Sequence, residues 1–166
     1  MPINSKQKGN DFELKVAKLL TEWSGEKFHR TPASGALHWE NDNRVVSDIV
    51  PPQTLVGWPF SIECKKVETS WEFNTFIEGT SVTLKEHWKQ CHGDAQREQM
   101  IPMLVFTKNY RDTYMMITQE TFNKLGINPS CFIKVENQEW SLIIMKFTEF
   151  LDLVPLKVLL DKNLLK

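Results

Sequence analysis

Two carboxylates and a lysine carry the chemistry legible in the first half of the chain. Asp48 lies late in an apolar run over residues 44–50, and Glu63 and Lys65 stand two apart within residues 58–66. In the second segment Phe60, Ile62 and Cys64 alternate with Ser61, Glu63 and Lys65. A period of two is a strand signal; it puts Glu63 and Lys65 on one face and turns Cys64 into the core. If the strand ending near Asp48 pairs with the strand of Glu63, the two carboxylates converge on one point. Carboxylate and backbone oxygens hold hard divalent ions, so Mg²⁺ is the expected cofactor, with Mn²⁺ as a substitute, and the Cys64 carbonyl offers a further oxygen. Such an ion makes a water nucleophilic and a leaving oxygen tolerable, the two needs of phosphodiester hydrolysis. The Lys65 ammonium would orient the attacking water or neutralise charge developing at phosphorus.

These residues need elements to position them. Residues 8–23 read as an amphipathic helix, with Phe12, Val16, Leu19, Leu20 and Trp23 on one side and Lys15, Lys18 and Glu22 on the other. Asn10 and Asp11 are candidate N-caps and Gly25 a candidate stop. Residues 26–30 suggest a short strand, residues 31–43 a loop, and residues 67–82 an inserted loop without regular pattern. A helix is expected over 83–99, a buried strand over 101–107 and its hairpin partner over 114–118. A short helix follows to Leu125, ended by Gly126, then two strands (131–135 and 141–146) around a turn at Asn137. A Leu-rich helix over 149–165, kinked near Pro155, closes the chain. The order implies an α/β fold with a mixed central sheet flanked by helices, in a single domain: a core over about 8–118 and a C-terminal α/β extension over about 119–166.

Composition narrows the class without deciding it. The chain of 166 residues has 41% hydrophobic and 25% charged residues, with six Trp and ten Phe to fill one core. A formal net charge of −1 argues against general coating of nucleic acid, yet leaves room for a carboxylate cluster whose bound cations reverse the local charge. Three widely spaced cysteines fit neither a disulfide framework nor a zinc site. No secretory signal and no membrane-spanning run is visible, so an intracellular, cytoplasmic protein without a membrane partner is expected.

Ser47-Asp48-Ile49-Val50 followed by Ile62-Glu63-Cys64-Lys65-Lys66 resembles the motif of the PD-(D/E)xK nucleases, with Ser47 at the position of the motif's proline. Lys8-Gly9-Asn10-Asp11-Phe12-Glu13 and Arg30-Thr31-Pro32-Ala33-Ser34-Gly35 are similar to the archaeal-type Holliday junction resolvases, which also occur in phages. That resemblance is close over residues 8–66 and loose over 83–107. It implies a restriction-endonuclease-like core in which Glu13 joins Asp48 and Glu63 at the metal, and Arg30 and Ser34 contribute to catalysis. It also implies a homodimer acting on branched DNA in a host cytoplasm; two symmetric cuts in a four-way junction suit a two-fold enzyme. Gln90 matches a helix glutamine near the active site of many of these nucleases, and is equally readable as a surface amide.

Each signal is ordinary alone. Glu-x-Lys on a strand is commonly a solvated face, an Asp before Pro51-Pro52 a turn residue, and Glu13 a helix residue paired with a lysine. Their order and spacing together carry the reading. Lys6, Lys8, Arg30, Arg44, Lys65 and Lys66 form the one local basic excess in the sequence, and phosphate contact would use it. Lys66 is either a backbone contact or a solvated strand end. The apolar tail, from Phe147 to Leu160, either covers the core or contributes to a dimer interface. Two other readings stay open: the same core cutting flaps, forks or duplex, and a non-catalytic DNA-binding relative.

Overall fold

The computed structural model describes residues 5–31, 47–67, 82–108, 111–162 and 164–165. The expected loop over 31–43, with Ser34, and the neighbouring Arg44 therefore lie outside the described residues from 32 onward, as does nearly all of the insertion over 67–82. Twelve elements follow in order among the described residues: α1 (Ser5–Ser24), β1 (His29–Arg30), β2 (Ile49–Val50), β3 (Phe60–Val67), α2 (Val82–Arg97), β4 (Ile101–Lys108), β5 (Thr113–Thr118), α3 (Gln119–Leu125), β6 (Phe132–Glu136), β7 (Ser141–Lys146), α4 (Phe147–Leu153) and α5 (Leu156–Asp161).

The main sheet has the order β3-β4-β5-β7-β6. β3 and β4 are parallel, joined through α2, and the remaining pairs are antiparallel. This is the mixed sheet flanked by helices that the element order implies. The alternation read in β3 holds: Phe60, Ile62 and Cys64 pack with Phe12, Val16 and Leu20 of α1 and with Phe147, Phe150 and Leu151 of α4. On the opposite face Leu84, Trp88 and Cys91 of α2 pack on Leu104, Phe106, Met116 and Ile144. Glu63 and Lys65 thus open toward α2, while α1 lies behind them.

Three expectations are corrected. α1 starts at Ser5, so Asn10 and Asp11 sit inside it rather than capping it; the preceding Lys and Gln residues are good helix formers and extend it past the apolar stripe. The strand ending near Asp48 is not a neighbour of β3 in the sheet. β2 pairs antiparallel with β1, and Asp48, on a bend before β2, meets β3 through one backbone bond from its N–H to the Ile62 carbonyl (3.0 Å). The terminal helix is two short ones, because Pro155 has no N–H to continue α4 and instead precedes α5. Of the apolar tail, Phe147, Phe150, Leu151, Val154 and Leu159 are buried in the core, and Leu153 and Val158 remain exposed.

α3 follows its sequence signals closely. The Thr118 hydroxyl accepts the Thr121 N–H at 3.2 Å, and Gly126 closes the helix in the left-handed conformation (φ 64°). Thr118→Ala should lower unfolding stability by about 1 kcal/mol, the usual value of such a cap. Urea denaturation would measure it, and an unchanged midpoint would show that the cap is dispensable.

Candidate active site

Glu63 is the centre of the constellation. Its carboxylate is only 9% exposed and Lys65 is 25% exposed, and Lys65 Nζ lies 2.6 Å from Glu63 Oε1. Gln90, reaching from α2, donates through Nε2 to the same oxygen at 3.3 Å. Gln90 is exposed, as a surface amide would be, and it also stands against Glu63, so the two readings of it meet in one residue. Asp48 stands at the edge of β3 away from β4. Its Oδ2 accepts the Cys64 N–H at 2.8 Å. N–H and C=O of one strand residue point to the same edge, so the Cys64 carbonyl faces the Asp48 side as well.

Thr31, just after β1, holds the backbone around Asp48. Its N–H donates to the Asp48 carbonyl at 2.9 Å and its hydroxyl to the Ser47 carbonyl at 2.5 Å. Ser47 is buried and donates to the Ile49 carbonyl at 2.7 Å. The preceding residue, Arg30, sends Nε to Glu13 Oε2 of α1 at 3.1 Å. Glu13 and Arg30, drawn from distant segments, thus meet beside Asp48, whose charge both of them feel.

The electrostatics report a surplus of buried negative charge. Burial, and then the charge of Asp48, push Glu63 up to about 7 against the pull of Lys65. Burial also raises Asp48, opposed by the Cys64 N–H, Lys65, a hydrogen bond with Glu63 and Arg30. Glu13 is raised by burial and Asp48, with Arg30 and Lys65 opposing. Burial draws the Lys65 ammonium down, but its bond to Glu63 more than offsets this, so it stays charged. Hard oxygen donors that resist ionisation for want of positive charge suit a divalent cation. Among the described residues, however, no three acidic, His or Cys side chains stand together as a ready-made metal site. Glu13 is engaged by Arg30 and Glu63 by Lys65, so a metal would have to exchange for a cation already there.

Of the remaining site candidates, Lys66 is half-buried near the end of β3 and Lys8 half-buried on α1. Ser34 and Arg44 lie outside the described residues. Three neighbours of the site were missed in the sequence. Thr31 is one; His87 and Asp94 of α2 are the others, felt electrostatically by Lys65 and Glu63 respectively. Their spacing around Gln90, three before and four after, places all three on one helix face, a signal that was available once Gln90 was suspected.

The site thus sets one buried carboxylate, one half-buried carboxylate and a lysine at the edge of a mixed α/β sheet. The family model described as "Phage putative PDDEXK endonuclease" matches residues 4–161, and the chain belongs to this PD-(D/E)xK endonuclease family. It is similar to Protein D14 of Escherichia phage T5, with 30% identity over 112 residues covering 66% of this chain and 68% of that protein. No solved structure matches it. No helix among the described residues is long and apolar enough to cross a membrane.

Proposed function

We propose that the protein is a divalent-metal-dependent endodeoxyribonuclease that cuts branched DNA, four-way junctions above all, and does so as a two-fold dimer. The observation that carries the reading is the gathering at β3 of Glu63, whose Oε1 is met by both Lys65 and Gln90, and of Asp48, whose carboxylate is bonded to the adjacent Cys64 N–H. The meeting of Arg30 with Glu13 beside Asp48 favours the junction-resolving branch, since these are the residues its resemblance brought forward. Asp48, Glu63 and the Cys64 carbonyl would hold Mg²⁺ or Mn²⁺, with Glu13 joining them on release from Arg30. When bound, the ion supplies an activated water and stabilises the leaving oxygen. Lys65, freed from Glu63, carries its ammonium toward the scissile phosphate and stabilises the charge that develops there. Gln90 keeps the Glu63 carboxylate aimed across β3. Arg30, Lys8 and Lys66 would contact backbone phosphates, fixing register without reading bases.

A cleavage panel of four-way junction, flap, fork and linear duplex, with Mg²⁺ and with chelator, tests this. Paired symmetric nicks in the junction, abolished by chelator and by Asp48→Ala, are the expected result. Equal cutting of linear duplex would overturn the junction assignment, and activity in chelator would overturn the metal. Tight junction binding without cutting under any metal would point instead to a non-catalytic relative.

A further inference from the structure

Asp48 is not held by a strand ladder. It sits on a bend, one residue before a strand of only two residues, yet its carboxylate must stay fixed across β3. The structure shows what substitutes for the ladder. The Asp48 N–H is tied to the Ile62 carbonyl at 3.0 Å, and its Oδ2 to the Cys64 N–H at 2.8 Å. The two consecutive carbonyls of Ser47 and Asp48 are both taken by one residue, Thr31, through its hydroxyl and its N–H. The Ser47 hydroxyl turns away to Ile49 O, so it offers the bend no alternative partner for that carbonyl.

We infer that Thr31 is a positioning residue for Asp48, its hydroxyl fixing the bend so that the Asp48 carboxylate is held in place for a divalent cation. This deepens the proposed function and rests on it. The main-chain bond from Thr31 survives any substitution, but the hydroxyl bond does not. Without it the Ser47 carbonyl loses its partner and the bend can rotate. Groups that orient a metal ligand from behind typically cost about 10–100-fold in metal affinity when removed. The same strap joins Arg30 to Thr31 directly, so the contact that engages Glu13 and the contact that sets Asp48 are carried by adjacent residues.

The test is Mn²⁺ binding by calorimetry on the full chain without DNA, in Thr31→Val, Thr31→Ser and the wild type. Valine keeps the shape and removes the hydroxyl; serine restores it. Thr121→Val, which removes a hydroxyl contact with Thr118 in α3, remote in sequence from the site, controls for general loss of stability. The expected result is Mn²⁺ affinity lowered about 10–100-fold in Thr31→Val, restored in Thr31→Ser and unchanged in Thr121→Val. Wild-type affinity in Thr31→Val would overturn the inference while leaving the nuclease reading intact. So would equal weakening in Thr121→Val, because the effect would then be one of stability alone. A wild-type chain that binds no Mn²⁺ would overturn the metal-dependent reading and this inference together, an outcome distinct from either of the others.

Discussion

Lys65→Ala should lower the single-turnover rate of DNA cleavage by about 10²–10³-fold, the range typical for losing one preorganised charge-stabilising donor. DNA affinity should change little, because in the proposed function Lys65 is one of several cations near phosphate and the fold does not rest on this side chain. Two contributions have to be separated. Lys65 is the cation in direct contact with Glu63, at 2.6 Å, and its removal leaves that carboxylate still harder to ionise and hence a poorer metal ligand near neutral pH. Saturating Mn²⁺ at alkaline pH compensates this second effect. If the rate then returns to the wild-type value, Lys65 acts only by supporting Glu63. If the loss persists, the ammonium acts on the phosphate. Lys65→Arg should not rescue, since a planar fork cannot replace a compact ammonium beside Glu63 and Gln90.

Glu63→Gln should abolish metal-dependent cleavage and yet stabilise the fold above neutral pH. Glu63 rises from 4.5 to about 7 on folding. Between those values the native state keeps a proton that the unfolded chain has released, so stability falls as pH rises through this window and is flat on either side. At about 1.4 kcal/mol per pKa unit, the uncharged variant gains at most about 3 kcal/mol over the wild type above pH 7 and nothing below about pH 4.5. Asp48 is raised as well and adds a fall of the same sign. Urea denaturation across this range without metal measures the effect; parallel profiles for the two proteins would refute it. A bound divalent ion takes the deprotonated carboxylate, so Mn²⁺ should stabilise the wild type more at pH 8 than at pH 6.

The legible parts of this site were those written in short periods. Alternation over residues 60–65 put Glu63 with Lys65 and opposed them to Cys64, and the structure keeps that arrangement. Gly126 and Asn137 marked a stop and a turn because each acts on backbone within a few residues. What was not legible depends on long-range pairing. Nothing in the spacing of β6 and β7 tells that the later strand inserts beside β5 and leaves β6 at the edge. Nor could the sequence show that residues 49–50 pair with 29–30 rather than with β3, since a two-residue strand has too little pattern to choose a neighbour. The Thr31 strap was invisible for the same reason: it links the residue after β1 to a bend far along the chain, and a threonine before a proline announces only a turn.

The position of β3 at the rim of the five-stranded sheet has a consequence for strand addition and for the choice of inactivating substitution. A sheet rim with free N–H and C=O groups is a template for unwanted strand addition and aggregation. Here Asp48 caps that rim at two consecutive outward positions, with its N–H on Ile62 and its carboxylate on Cys64. The residue read as a ligand is thus also a plug. Truncating it to alanine exposes a backbone donor beside an apolar strand, whereas asparagine keeps an oxygen for the Cys64 N–H and removes only the charge. Asp48→Asn is therefore the substitution that removes the charge while keeping the rim of β3 capped, and any variant at this position that keeps the cap should retain a short polar acceptor.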